Sequence, residues 1–418
     1  MSDRLRATYM IESAFPLQDV AGVMAGEQST GTFLKLAAED DPDVARQAAT
    51  VERVVETDRV AGPALPGAKT PKGAEPVWRR GTVELSWPLD NLGPSLPNLM
   101  STVAGNLFEL NQLSAIRLTD LDLPRPFLDA YPGPAFGPKG TRLLVGVERS
   151  PLIGTIIKPS VGLTPAATAD LVQTLVGGGI DFIKDDELQA DGPFCPFEQR
   201  VAAVMRVINA AADRSGRKPM VAFNLTGEID EMRRRHDVVL AAGGTCVMVS
   251  LNSVGLAGVA ELRRHAVLPI HAHRNGWGLY YRSPAIGIDY RAYQKIWRVL
   301  GVDHMHVNGL RNKFSEDGAS SIASARACLT PLTADEPRLA MPVFSSGQWA
   351  GQAKETYDAL GSADLIYCCG GGIVAHPQGV MAGVQSIRDA WEAALDGESL
   401  EARARSKPAL ASALAFFG

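Results

Sequence analysis

The sequence predicts an α/β protein in which a TIM (β/α)8 barrel follows a smaller amino-terminal α+β, ferredoxin-like domain. Three observations predict it. The chain has 418 residues, more than one domain usually holds, and 46% of them are hydrophobic, enough for an ample core. From Pro151 onward, eight short apolar runs alternate with longer segments of helical pattern, the signature of repeated strand–helix units and a parallel sheet. Almost every run also ends in residues able to do chemistry, as expected where active-site groups gather at the carboxyl ends of barrel strands.

The first domain is predicted to cover residues 1–135. Strand-like stretches at 7–11, 82–87 and 114–118 alternate with helical ones at 42–51 and 96–110, and residues 62–75, rich in proline, glycine and lysine, read as an exposed loop. The barrel is predicted to take residues 136–418. Its strands are expected at 152–158, 181–185, 220–224, 245–251, 268–273, 304–307, 340–344 and 365–369. The helix at 165–175 opens with Thr164 as its cap and Pro165 at the first helical position, where the missing N–H would have no partner anyway. The strand ends carry, in turn, Lys158, Lys184 to Glu187, Asn224, Asn252, His273 with Arg274, His306, Ser345, and the glycine run from Gly370.

Composition excludes several classes. The formal net charge is −5 and the basic residues are dispersed, so there is no electrostatic footprint for nucleic acid. No apolar run reaches the roughly 18 to 20 residues of a membrane span, and Met1-Ser2-Asp3-Arg4 opens without a signal-peptide core. A cytoplasmic protein with no membrane partner is expected. Cys195, Cys246, Cys328, Cys368 and Cys369 show no metal-ligand spacing, and Cys246 and Cys368 sit in apolar runs like ordinary buried thiols, so no disulfide framework is expected.

The segment from Asp181 to Glu187 is the most informative, because a strand pattern ends there in Lys184 followed by Asp185, Asp186 and Glu187. Alternation puts Lys184 on one face and Asp185 on the other, where a structural salt bridge is its better explanation; Asp186 and Glu187 fall where the strand opens into a loop. Hard oxygen ligands of this kind suit magnesium. An ammonium is misplaced among them, but Lys184 carbamylated by carbon dioxide would become a further oxygen ligand. Gly370-Gly371-Gly372, after the eighth run, would let backbone N–H groups approach a phosphate, with Ser345 and Gly347 after the seventh run beside it, the recurrent phosphate position of this fold. His273, Arg274 and His306 form a second polar cluster, whose arginine fork suits a phosphate or a carboxylate. His271 is the more structural of the histidines, and His236, His265, His304 and His376 are left outside the site.

These stretches resemble, in order, the motifs of the ribulose-bisphosphate carboxylase large subunit. Gly154-Thr155-Ile156-Ile157-Lys158-Pro159 resembles its first barrel strand with the catalytic lysine, and Lys184 to Glu187 its metal site. Glu27-Gln28-Ser29-Thr30-Gly31-Thr32-Phe33 resembles its amino-terminal active-site segment, and Gly105-Asn106-Leu107-Phe108 its asparagine loop. His271-Ala272-His273-Arg274, Met305-His306 followed by Lys313, Ser345-Ser346-Gly347 and the glycine run complete a likeness reaching from about Glu27 to about Pro377. The resemblance implies magnesium held by carbamylated Lys184, Asp186 and Glu187. It implies Lys158, Lys184, His273, Lys313, Asn106 and Glu27 as catalytic residues, with Lys158 a general acid or electrostatic stabiliser. Thr32, Arg274, His306, Ser345, Gly347, Gly370 and Gly371 become substrate and phosphate ligands. Lys313, in a loop that closes over substrate, would pair with Glu27 of the other subunit, which implies a homodimer with its active site at the interface.

The departures point away from carbon fixation. Ser160 stands where the carboxylase has a second lysine, residues 308–314 replace a valine-rich closing loop, and Trp277 and Phe33 replace a histidine and a tryptophan. The chain therefore resembles the non-fixing, fourth form of the family. Methionine-salvage enolases of that form match less well, since they place a base lysine where Asn106 stands and lack the His-Ala-His-Arg run. The wording around His273-Arg274-Asn275-Gly276-Trp277-Gly278 and His306-Val307-Asn308-Gly309-Leu310 resembles the carboxylase-like proteins of apiose-derived acid catabolism. This implies magnesium-dependent decarboxylation of a phosphorylated 3-oxo sugar acid, 3-oxo-isoapionate 4-phosphate, through a metal-stabilised enediolate. The alternatives are transcarboxylation and hydrolysis of the same compound, or enolase or isomerase chemistry on a phosphorylated ketose. A fourth reading, non-catalytic ligand binding, is opposed by the intact cluster of like charges at Lys184 to Glu187, which is costly to keep without use.

Overall fold

The computed structural model describes residues 3–32, 37–73 and 75–418; Phe33 lies outside them. The chain divides into two compact units, Met1–Pro132 with Gly276–Val299, and Gly133–Asn275 with Leu300–Gly418. The sequence, with its border at residue 135, leaves residues 276–299 in the barrel; by their contacts they belong to the first unit.

The first unit holds a five-stranded sheet of β1 (Arg4–Ser13), β2 (Thr50–Val60), β3 (Trp78–Pro88), β4 (Leu113–Asp122) and β10 (Ile286–Ile288), in the order β10-β4-β1-β3-β2. The central β1 runs antiparallel to β3 and β4 and buries Leu5, Ala7, Tyr9 and Ile11 at period two. β2 corrects the helix expected over 42–51. The helix Pro42–Arg46 forms with Asp41 accepting the Asp43 N–H at 2.7 Å, then stops, and the β-branched Val51, Val54 and Val55 pair with β3 instead. The edge strand is mostly exposed and carries Glu52, Arg53, Glu56, Asp58 and Arg59, charges that discourage a further strand from adding. The helix expected over 96–110 ends at Ala104. Gly105 turns the chain there into a 3-10 segment, Asn106–Glu109, and any Cβ on it would lie 2.3 Å from the Ser101 carbonyl oxygen. β10 was not foreseen; it joins β4 in parallel, Ile286 opposite Ile116, and Arg117 fastens it through Asp289 at 3.0 Å.

The second unit is a closed parallel barrel of β5 (Leu152–Ile156), β6 (Phe182–Lys184), β7 (Met220–Asn224), β8 (Cys246–Ser250), β9 (Ile270–His273), β11 (His304–Val307), β12 (Met341–Phe344) and β13 (Ile366–Cys368). Closure leaves no bare strand edge. Alternate residues fill the lower interior: Leu152, Phe182, Met220, Ala222, Cys246, Met248, Met341, Val343, Ile366 and Cys368. Burying each large side chain contributes roughly 1.5–3 kcal/mol. Gly154 leaves room for them, since a Cβ there would meet Cys368 Sγ at 3.1 Å and Phe182 Cδ1 at 3.2 Å. Outside, the helix Phe197–Ser215 turns Val201, Val204, Met205 and Ile208 inward at helical spacing. Cys246, Cys328, Cys368 and Cys369 are buried and all five cysteines are free thiols. Among the described residues, no helix is long and apolar enough to cross a membrane.

Candidate active site

The same alternation that packs Phe182 into the barrel carries Lys184, two residues on, to the top of the interior, opposite Ile156 of β5 and Ala222 of β7. Its side chain is 1% exposed, and Nζ donates to the Asp185 carbonyl at 2.7 Å and lies 3.6 Å from Glu187 Oε2. Burial lowers the lysine pKa, against the opposing charges of Glu187 and Asp186. Asp185 faces away from the interior, accepting from Arg200 at 3.2 Å and from the Asn224 N–H at 3.0 Å, the structural salt bridge expected for it.

Asp186 Oδ2 receives Lys158 Nζ at 2.6 Å, and Oδ1 receives the Leu188 N–H at 3.0 Å. Burial opposes ionisation of Asp186, but these two hydrogen bonds and the charges of Lys184 and Lys158 outweigh it and lower its pKa. Ser160 Oγ accepts from Lys158 at 2.7 Å, so the serine positions the amine. Gln189 Oε1 accepts the Asp186 N–H at 2.8 Å, while Asn224 Nδ2 donates to the carbonyls of Glu187 and Gln189 at 3.3 and 3.1 Å. Side chains thus fix the backbone on which both carboxylates stand. The sequence named Asn224 only as a strand-end polar residue and missed Gln189.

His273, at the end of β9, accepts the Asn275 N–H on Nδ1 at 3.2 Å, which leaves Nε2 to carry the hydrogen 3.5 Å from Glu187 Oε2. Burial, then the charge of Lys184, holds His273 well below the ordinary histidine pKa, so its ring is neutral at pH 7. His306 Nε2 lies 2.8 Å from His271 Nε2, and its Nδ1 lies 3.2 Å from Ser345 Oγ. Burial keeps both of these rings neutral as well, and one of the two facing nitrogens donates to the other. His271 therefore orients His306, in keeping with its structural reading.

Arg274 is bound to Glu316 at 2.8 Å, a buried pair that the sequence did not signal. Gly347 follows β12 with φ 89°, and Gly370 and Gly371 follow β13, with open space around Gly371. Lys313 is exposed in the loop after β11, its N–H donating to the Ser346 carbonyl at 3.2 Å. The barrel unit thus brings Lys158, Lys184, Asp186, Glu187, His273, Arg274, His306, Ser345, Gly347, Lys313, Gly370 and Gly371 to the carboxyl ends of its strands. Glu27, Thr32 and Asn106 belong to the first unit, where Asn106 Nδ2 donates to Glu27 Oε1 at 3.4 Å and Thr32 is exposed.

Charge decides whether this mouth fits magnesium. Arg200 neutralises Asp185, and the two amines of Lys184 and Lys158 balance Asp186 and Glu187. Carbamylation would turn Lys184 from a cation into an anion, leaving the group two charges negative, and one divalent cation restores neutrality. The donor set is all hard oxygen, so these residues fit the ion. A second cluster, His236, Asp237 and His265, lies on the outer helices. There the Val267 N–H donates to His236 Nε2 at 3.2 Å, so the ring's hydrogen sits on Nδ1 and is accepted by Asp237 at 3.0 Å, which leaves that imidazole no lone pair for a cation.

A closed eight-stranded barrel with these groups at its mouth, in a chain that also holds a small mixed sheet, is the architecture of the ribulose bisphosphate carboxylase large chain. The profile of that family's catalytic domain matches residues 139–417 and that of its amino-terminal domain residues 2–127, so the chain belongs to the family. Its relatives include enzymes that bear other names. It is 61% identical, over 100% of both chains, to a 3-oxo-isoapionate-4-phosphate transcarboxylase/hydrolase of Xanthobacter autotrophicus. It is 42% identical, over 98% of both, to a 3-oxo-isoapionate-4-phosphate decarboxylase of Rhizobium etli. The crystal structure of a rubisco-like protein from Burkholderia fungorum superposes with a TM-score of 0.92 at 47% identity, covering 99% of this chain and 100% of the other. The chain is thus a carboxylase-like enzyme of the family.

Proposed function

We propose that the protein is a magnesium-dependent enzyme of carbon–carbon bond cleavage that acts on 3-oxo-isoapionate 4-phosphate by transcarboxylation and hydrolysis. The observation that supports this is full-length 61% identity to an enzyme of that name, in a chain that keeps Lys184, Asp186 and Glu187 together. Magnesium, held by carbamylated Lys184, Asp186 and Glu187, would supply Lewis-acid stabilisation of oxyanion charge at the substrate's 3-oxo group. The chain's own residues do the rest. Gly370, Gly371, Gly347 and Thr32 hold the phosphate, and Arg274, His306 and Ser345 take the far end of the sugar acid. Lys313 closes the loop against Glu27, which with Asn106 comes from the second subunit of a cytoplasmic homodimer.

Loss of carbon dioxide from C2 of this 3-oxo acid leaves the bond's electron pair as an enediolate across C2 and C3, so no base is needed for the first step. Recapture of carbon dioxide at C3, followed by attack of one water on C2 and rupture of the C2–C3 bond, gives a three-carbon phosphorylated acid and glycolate. Lys158 can give its proton to the leaving carbon and recover one from the attacking water, while His273, whose Nε2 carries the hydrogen, can donate to the oxygen that develops on C2. The second reading is simple decarboxylation, favoured by the 42% identical relative, in which Lys158 protonates the enediolate and a four-carbon ketose phosphate results. Product NMR with 3-oxo-isoapionate 4-phosphate, magnesium and bicarbonate separates them. Glycolate supports the first reading, a four-carbon ketose phosphate with released carbon dioxide supports the second, and no turnover sinks both.

A further inference from the structure

Glu316 stands one residue before Asp317, whose side chain caps the helix Gly318–Leu329, and so at the root of the loop after β11. Its side chain is 2% exposed. Oε2 accepts from Arg274 at 2.8 Å and from Asn308 Nδ2 at 2.7 Å, Oε1 accepts from Ser320 Oγ at 2.9 Å, and the backbone carbonyl accepts from Asn312 Nδ2 at 2.9 Å. The donors come from the end of β9, the end of β11 and the following helix. A carboxylate satisfied from three elements is a fixed part of the wall, and it makes Arg274, itself 6% exposed, one half of a neutral pair.

The other groups at that end are a hydroxyl and two rings that can donate or accept hydrogen bonds. The imidazoles of His273 and His306 stand there with their rings 4.6 Å apart, and Ser345 offers the hydroxyl. A phosphate dianion arriving there would be drawn by the guanidinium and repelled by the carboxylate behind it. A hydroxymethyl group would find donors and acceptors without that conflict. We infer that Glu316 is a specificity-determining residue which, by neutralising Arg274, makes the protein select a substrate with a single phosphate and reject one with a second phosphate at the Arg274 end. This rests on the reading that the barrel mouth binds a sugar phosphate.

The test is calorimetric binding of two probes, erythrulose 1-phosphate and ribulose 1,5-bisphosphate, to the magnesium- and bicarbonate-incubated full chain. Native protein should bind the monophosphate about tenfold or more tighter than the bisphosphate. Glu316→Gln keeps acceptors for Arg274 and Asn308 and removes only the charge. It should tighten bisphosphate binding about tenfold while moving the monophosphate less than about threefold, and an unchanged ratio overturns the inference. The double variant Arg274→Gln/Glu316→Gln removes both charges together and guards against a folding defect in the single one. It should lose less than about tenfold in monophosphate affinity; a loss beyond about a hundredfold would mean that Arg274 grips the phosphate itself and also overturns the inference. Failure of the substrate reading looks different: 3-oxo-isoapionate 4-phosphate is not turned over although the probe ratio shifts as expected.

Discussion

Asp181 enters β6 and Asp186 and Glu187 leave it, so one short strand carries carboxylates at both ends of the barrel. At the lower end Asp181 is fully buried and saturated, accepting from the Ile153 N–H at 3.0 Å, Arg217 at 2.7 Å and Arg388 at 3.0 Å. Asp303, which enters β11, is held the same way by the N–H groups of Phe136, Gly137 and Ile270 and by Arg263. A cavity of about 790 Å³ opens at this lower end, but Arg217 and Arg388 in its lining are already committed to Asp181. At the upper end Glu187 is 31% exposed and keeps Lys184 and His273 at 3.6 and 3.5 Å, beyond hydrogen-bond length. Carboxylates that are all spent hold the strands in register; carboxylates with contacts to spare are available to a ligand.

The largest expected effect breaks the upper end. Lys184→Ala should lower kcat by on the order of 10³-fold or more, because the oxygen ligand cannot form. Its thermal midpoint should stay near that of the native protein, and a matched fall in both would show Lys184 to be structural. Asp181→Ala should do the reverse: a loss of about 2–4 kcal/mol in urea unfolding, since the Ile153 N–H is left buried without a partner, with kcat per folded molecule within about threefold. A catalytic collapse in that variant would erase the distinction between the two ends.

A smaller effect is read in pH. His304, which starts β11, is buried against Thr141 Oγ1 at 2.8 Å, and burial pulls its pKa down to about 3. The unfolded chain takes up this proton near pH 6.5 and the folded chain does not, so stability is full above pH 6.5 and is lost as pH falls toward 3. The loss should be on the order of 2 kcal/mol by pH 5. Urea midpoints of native and His304→Gln protein at pH 7 and pH 5 check it, and equal pH dependence in the two would refute the assignment. The smallest effect is in thiol reactivity. Burial pushes the Cys368 thiol up to about 12, and Cys246, Cys328 and Cys369 are buried too, so a thiol reagent at pH 8 should titrate Cys195 alone until the protein is unfolded.

The barrel was legible because its strands announce themselves twice, by apolar runs and by what ends them. Residues 220–224 and 304–307 form strands as read, and the others differ only at their ends. β2 was not legible, because an edge strand with charges on both faces shows no alternation. β10 was hidden for another reason: its three residues, Ile286-Gly287-Ile288, are too few to carry a period. In the site, Lys184, Asp186 and Glu187 were legible as a lysine and carboxylates at a strand end, a string that alone reads more readily as surface ion pairs; the family-like motifs around it are what made it a candidate metal site. Glu316 was not, lying between Ser315 and Asp317 like any loop acid; only the partners it finds across 42 residues at Arg274 and eight at Asn308 distinguish it.

The return of residues 276–299 to the first unit has a consequence for how the chain comes into being. The amino-terminal sheet lacks its last strand until the ribosome has passed residue 288, by which time β5 to β9 have already been made. Residues 1–132 produced alone would carry β4 as a naked margin, inviting pairing with other chains. A gene cut at the apparent domain border therefore yields a sticky fragment, whereas one in which residues 276–299 are grafted after residue 132 through a short linker supplies the missing margin.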